Sequence, residues 1–242
     1  VSSPVLPPRR SPLLESLGWI DHAFQAAGES PPADAAYGHQ RHSSTVVLES
    51  ENVPPKSCVS DGIIGVTTRP VAVYTADCLP VLIADARQRH VAAVHAGLQG
   101  ALAGVLFSAV ERLKALGARN DTLFVAIGPA ILPCCYELGE EVLADIQQNR
   151  LLQQPVSWSA EQPQNVRAVR PQAQPRQQGI WFDLPELGRQ MLLQMGIPAA
   201  HIDLLNVCTY CMAEAGSSYR RNTHFASGYQ SRYSWIRRLA GR

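Results

Sequence analysis

Residues 71–100, VAVYTADCLPVLIADARQRHVAAVHAGLQG, restrict the fold of this chain more than any other stretch. Val71, Val73 and Tyr74 open a β-rich run, which resumes at Val81, Leu82 and Ile83 after the small polar break Thr75-Ala76-Asp77-Cys78. A second run, His90 to Val94, is apolar after its first residue, the pattern of a strand buried on both faces. It ends in His95-Ala96-Gly97, with Gly100 close behind. Cys78 and His95 thus stand at neighbouring strand ends, near enough to share one ion or one proton.

The 242 residues suffice for a sizeable core and fall at the upper end of single-domain length. One domain is expected over 1–242, with a frayed arm at 1–11 and a flexible insertion at 147–178. A net charge of +1, with 17% charged residues, provides no global field for nucleic acid or an anionic membrane, so an anion site has to be local. No apolar run is long enough to span a bilayer, and the opening residues lack the apolar segment of a signal peptide. A soluble, cytoplasmic protein is the expectation. The six cysteines are then expected as free thiols: Cys58, Cys134 and Cys135 read as inert core thiols, and Cys208-x-x-Cys211 lacks a second CxxC to complete a four-cysteine site.

Along the chain, 13–24 mixes helical spacing with a short apolar run, 26–37 reads as a loop, and His42 precedes a β-branched run at 45–48. Residues 61–67 and 122–127 read as strands. Apolar residues at Leu102, Val105, Leu106, Ala109, Val110, Leu113 and Leu116 predict a helix over 101–116 stopped by Gly117. Its Gly-rich start turns free backbone N–H groups toward whatever lies beside His95. A helix is predicted over 138–146, with Glu140, Glu141 and Asp145 on a solvated face. Another runs over 185–195, capped by Asp183 and ended by Gly196. The segment 147–178 is rich in Gln, Pro and Arg without periodicity. Strands are predicted at 202–207 and 229–236. Strands alternating with helices argue for an α/β layered fold, a mixed sheet flanked by helices. There is no dinucleotide fingerprint and no P-loop.

Imidazole and thiolate are ligands zinc favours, and three protein ligands with an open fourth position define its catalytic form. His42, Cys78 and His95, at spacings of 36 and 17 residues, offer such a set, although a loop histidine and a buried thiol are equally ordinary readings of the spacing.

Taken together, Thr75-Ala-Asp-Cys-Leu-Pro-Val81, Val94-His-Ala-Gly97 with Gly100, Ile127-Gly-Pro129, Cys208-Thr209 and Tyr219-Arg-Arg221 resemble, in order and spacing, the YfiH family, also called the laccase-domain or multicopper polyphenol oxidase family. The similarity runs from about 40 to 236. It implies an α/β/α fold and a zinc site, with copper as the alternative, whose ligands map onto His42, Cys78 and His95. It also implies phosphorolysis of adenosine, inosine and methylthioadenosine, with adenosine deamination as a second activity. A purine nucleoside and phosphate would be the partners of a monomer or weak homodimer.

On that reading Cys78, His95 and Asp77 are the catalytic candidates, with Asp77 a proton carrier. Gln40, Ser43, Gly97, Gln99, Gly100, Arg220 and Arg221 are the candidates for holding substrate and phosphate. The family's His-Gly is His42-Ser43 here, its Trp-Arg after His-Ala-Gly is Leu98-Gln99, and its Thr-Arg-x-Gly-Gly segment is replaced by Gln25-Ala-Ala-Gly28. Gln99 brings no charge to a phosphate. Three other readings stand beside the first: a Cys78–His95 hydrolase acting on a peptidoglycan precursor or another amide, a copper-dependent polyphenol oxidase, and a non-catalytic metal-binding protein. Seven histidines without a His-x-His pair are few for several copper centres.

Overall fold

Burial along the strands sorts them into layers. The computed structural model describes residues 9–176, 178–212, 214 and 216–241. Its strands are β1 (Ile20–Ala27), β2 (Val46–Leu48), β3 (Gly62–Gly65), β4 (Val71–Thr75), β5 (Leu79–Asp85), β6 (His90–Ala96), β7 (Leu123–Ile127), β8 (Glu137–Gly139), β9 (Trp158–Ser159), β10 (Gly179–Phe182), β11 (Ile202–Leu204) and β12 (Arg232–Arg238). Six of them form a mixed sheet in the order β11-β7-β5-β6-β3-β2, parallel at its two edges and antiparallel between. β5 and β6 lie at its centre, and only His90 of their residues is not buried, as their unbroken apolar sequences predict.

The α-helices are α1 (Pro12–Glu15), α2 (Leu98–Leu102), α3 (Val105–Ala115), α4 (Glu140–Gln147), α5 (Leu184–Gln194) and α6 (Tyr219–Phe225). Val81 and Ile83 point to one side of the sheet, into a core with Leu106, Val110 and Leu113 of α3 and Leu187 and Met191 of α5. Leu82 and Ala84 point to the other side, where they meet Phe24, Val71, Val73 and Ile236. Those residues come from a three-stranded antiparallel sheet, β1-β12-β4, whose β1 and β12 alternate buried and half-buried positions. The layered α/β organisation with a mixed sheet is therefore present, while the layer opposite α3 and α5 is a second sheet and not a row of helices. Period-two burial on β1 and β12 is the physical reason: a strand with one apolar face covers a sheet as well as a helix does.

Several local expectations are corrected. The helix predicted over 101–116 is two helices, because Gly104 adopts φ +94° between α2 and α3, a conformation glycine reaches without steric cost. The start of the helix predicted over 138–146 is instead β8, which pairs with β10. The strand predicted over 202–207 ends at Leu204, before Asn206 turns the chain at φ +53°. Of the N-terminal arm, 1–8 lie outside the described residues. From Arg9 the chain is tied down: Arg9 pairs with Glu29 at 3.0 Å, and buried Ser11 caps α1. Of the stretch 147–178, residues 148–176 carry no regular element but the two-residue β9, yet Gln162 and Gln172 fasten it by donating to the Cys134 carbonyl at 2.8 and 3.1 Å. No helix among the described residues is long and apolar enough to cross a membrane.

Candidate metal centre

The antiparallel register of the central strands sets Pro80 opposite His95 and Leu79 opposite Ala96. Cys78, immediately before β5, therefore meets His95 at the end of β6. The third member comes from the loop before β2, where His42 takes φ +58°. The ligand atoms of His42, Cys78 and His95 all lie within 4.8 Å of one another, and Cys78 Sγ stands 3.9 Å from His42 Nε2. His95 is buried, Cys78 half-buried and His42 exposed, so the group is open on one side.

Asp61 holds this arrangement together. β3 pairs with β6 with Gly62 opposite Val94, which carries Asp61 alongside His95. Its Oδ1 accepts from His95 Nδ1 at 2.8 Å, leaving the His95 Nε2 edge free to face Cys78. The same carboxylate accepts from the backbone N–H groups of Arg41, His42 and Ser43 and from Ser43 Oγ at 2.6 Å. One buried anion thus orients one imidazole and pins the loop that carries the other. Burial alone would push the Asp61 carboxyl up, but the hydrogen bonds from His95, Ser43 and the loop backbone hold it well below the usual carboxylate range.

The donors also tune one another. Burial raises the Cys78 thiol, and the hydrogen bonds and charges of His42 and His95 outweigh it, bringing Cys78 down to about 7. Burial lowers His95, and its hydrogen bonds to Asp61 and Cys78 overcome that and lift it to about 9. Each group thus favours the charged form of the other, thiolate on Cys78 and imidazolium on His95.

The donor set suits a metal. One thiolate and two imidazoles match zinc's preferences, and a tetrahedral zinc shell has nitrogen–sulfur edges of about 3.6 Å, near the 3.9 Å between Cys78 Sγ and His42 Nε2. Gly97 leaves the room this requires: a Cβ there would lie 2.7 Å from Cys78 Sγ and 3.0 Å from His42 Cδ2.

The other residues singled out by sequence are distributed around this centre. Gln40 is engaged with the backbone of Tyr74 through both ends of its amide, at 2.7 and 2.9 Å. Gln99 is exposed on α2, and Gly100 packs under the carbonyls of His42 and Ser43. Asp77 is buried at φ +91°, and its carboxylate accepts from Thr209 Oγ1 at 2.6 Å, Ser218 Oγ at 3.0 Å and Arg220 N at 2.6 Å. Burial pushes its pKa up against those hydrogen bonds. Arg220 lines a cleft with Arg176, Thr223 and His224, and lies over the Tyr136 ring at 5.2 Å. Arg221 turns away to the carbonyls of Pro171 and Tyr210. Tyr136, which sequence reasoning missed, lies within electrostatic reach of Cys78, Asp77 and Arg220, and burial raises it to about 12. Asp61 was missed as well. Asp-Gly before an apolar run reads as an ordinary strand start, and only the pairing of β3 with β6 shows its partner.

Fold and site together define a layered α/β protein with an open His₂Cys donor set at one end of a mixed sheet. The chain belongs to the family described as multi-copper polyphenol oxidoreductase laccase, whose model matches residues 21–237. A purine nucleoside phosphorylase of Synechocystis sp. is 33% identical over 171 residues, 68% of this chain and 64% of that protein, so the match spans less than two thirds of that relative. An adenosine deaminase, RL5, from an unknown prokaryotic organism is 28% identical over 78% of this chain and 70% of its own length. The crystal structure of a hypothetical protein, YfiH, of Bacillus licheniformis shares the fold at a TM-score of 0.72 and 21% identity, covering 90% of this chain and 92% of that one.

Proposed function

We propose that this protein is a zinc-dependent purine nucleoside enzyme that cleaves the bond between purine and ribose with phosphate as the attacking group, and that also deaminates adenosine. The observation that carries this reading is the convergence of His42, Cys78 and His95 on one open corner, with Asp61 behind them. The similarity to proteins named purine nucleoside phosphorylase and adenosine deaminase supplies the substrate class. His42, Cys78 and His95 would hold the ion, which would supply Lewis acidity. The chain's own residues do the positioning. Asp61 keeps the proton on His95 Nδ1 and so presents Nε2, while Ser43 and the loop N–H groups hold that carboxylate in place. Gly97 keeps the corner clear of side-chain bulk. Arg220, with Arg176 beside it in the cleft, offers cationic charge for phosphate.

On this reading Gln40, Ser43 and Asp77 position other groups and do not touch substrate, since their polar atoms are already engaged. Asp77 braces the Cys78 turn against α6. Arg221, within that helix, ties it to the carbonyls of Pro171 and Tyr210.

Inosine incubated with and without phosphate tests the reaction. Free hypoxanthine is expected only with phosphate, and phosphate-independent release overturns phosphorolysis in favour of hydrolysis. Conversion of adenosine to inosine tests the deamination.

A second reading rests on the Cys78–His95 pair. His95 lies within ligand distance of Cys78 and favours its thiolate, as a nucleophile paired with an acid requires, and metal-free protein acting on an amide would be the expected consequence. A multicopper oxidase is less well supported, because the His42 group is the only histidine-containing ligand cluster among the described residues.

A further inference from the structure

Four cysteines that the first site does not use meet beside the Asp77 turn. Cys134 and Cys135 follow β7, and Cys208 and Cys211 follow β11. β7 and β11 are parallel neighbours, and a bridge from Ala130 to Cys208 continues their pairing, so both segments leave the sheet side by side. All four thiols are free and buried. Their sulfurs lie within 4.8 Å of one another, with Cys134 Sγ 4.0 Å from Cys211 Sγ. A four-thiolate zinc shell, with Zn–S bonds near 2.3 Å, has sulfur–sulfur edges of about 3.8 Å; a disulfide needs about 2.05 Å. The spacing found is that of ligands around an ion.

The surroundings suit a charged sulfur cluster. Asn165 Nδ2 donates to Cys211 Sγ at 3.1 Å and to Cys134 Sγ at 3.6 Å. Arg170 lies within electrostatic reach of Cys208 and Cys211. Ile131, Ala173, Trp181 and Tyr210 pack with the four cysteines in one buried cluster. The absence of a second CxxC in the sequence is made good in space by the vicinal pair, which correct chain pairing brings to the first.

We propose that Cys134, Cys135, Cys208 and Cys211 bind one zinc ion as a closed, structural four-thiolate site. This site fastens the segment 160–176 and the residues at 208–212 and 217–221 against the Asp77 side of the candidate metal centre. The ligand residues are themselves the tie points of that segment. The Cys134 carbonyl accepts from Gln162 and Gln172, and the Cys211 carbonyl accepts from the N–H groups of Val169 and Arg170. One residue after Cys208, Thr209 reaches Asp77. Four protein sulfurs leave no open position, so the role is folding and not catalysis.

The experiment uses full-length protein carrying Cys78→Ser, which disables the first centre and leaves the four-cysteine cluster intact. One zinc per chain is expected, with four sulfur neighbours at about 2.3 Å in its X-ray absorption spectrum. Zinc with nitrogen or oxygen neighbours, another metal, no metal, or a mass lowered by two hydrogens per bridge overturns the assignment. Wild-type protein reports separately on the first centre: two zinc ions per chain if both sites fill, one all-sulfur zinc if the reading of the first centre fails. Stripping the zinc from the Cys78→Ser protein tests the bracing. Trypsin is then expected to cut after Arg167 or Arg176 at least ten times faster, and an unchanged rate removes the bracing role. Cys211→Ser should lose one zinc relative to wild type; if that variant does not fold, the Cys78→Ser measurements still decide.

Discussion

Asp61 Oδ1 lies 2.8 Å from His95 Nδ1, with both side chains buried and the carboxylate wholly so. This contact joins strand pairing to chemistry, because the register of β3 on β6 places the two residues side by side. It also ties the exposed ligand to the buried one, since the same carboxylate holds the His42 backbone. Replacing Asp61 by Asn removes the charge behind His95 and sets an amide N–H₂ against backbone donors. We expect zinc affinity to fall about 10–100-fold, measured by competition with a chromogenic chelator. Unchanged affinity in a folded Asp61→Asn protein would remove Asp61 from the metal centre's design.

Gly97 and Gly100 make a paired test. An alanine Cβ at position 97 would press on Cys78 Sγ at 2.7 Å, whereas at position 100 its nearest neighbour is the Ser43 carbonyl oxygen at 3.5 Å. Gly97 has φ −69°, which alanine adopts readily, so the effect is steric and local. Gly97→Ala should weaken metal binding by at least tenfold while the far-ultraviolet circular dichroism is kept, and Gly100→Ala should bind as the wild type does. Equal behaviour of the two variants contradicts the steric account.

Cys78 should show two faces depending on the metal. In metal-free protein its alkylation by iodoacetamide, followed on the Cys78 peptide by mass spectrometry, should rise with pH around a midpoint near 7. His95→Ala should move that midpoint up toward the ordinary thiol value of about 8.5. Bound zinc should suppress the labelling at every pH. A thiol labelled equally with and without chelator argues against Cys78 as a ligand.

His22 predicts an acid-sensitive step in stability. Its Nε2 accepts from the Ser11 N–H at 2.8 Å inside the protein. Burial and the Arg10 charge outweigh Asp21 and Asp203 and lower it from 6.5 to about 4. The unfolded chain therefore binds this proton more readily than the folded one between pH 4 and 6.5, so its contribution is complete above about 6.5. That contribution is lost progressively as the pH falls toward 4. The loss is on the order of 3 kcal/mol. Urea midpoints measured across that window should fall in the wild type and flatten in His22→Gln. Parallel curves would show that other groups carry the acid sensitivity.

The chain shows how far each kind of signal reaches. Residues 71–100 made the central hairpin legible because β5 and β6 are adjacent in sequence, and local apolar runs are enough to predict a pair so placed. Cys78 and His95 came together for the same reason. His42 is separated from them by three strands, β2, β3 and β4, and their connections, and its membership followed from the motif resemblance and not from spacing. Asp61 gave no signal of its own, since its partner is set by which strand lies beside β6.

The sequence by itself determined the apolar strands, the capped helix it placed at 185–195, the family and the pair of candidate ligands at the open end of the central hairpin, because each depends on short stretches of neighbouring residues. Only the tertiary structure decided that a second sheet covers the face opposite α3 and α5, that Asp61 stands behind His95, and that Cys134 and Cys135 meet Cys208 and Cys211. Those contacts join segments distant along the chain. Their geometry follows from strand order and register, which the packing of the whole core selects and no local pattern encodes.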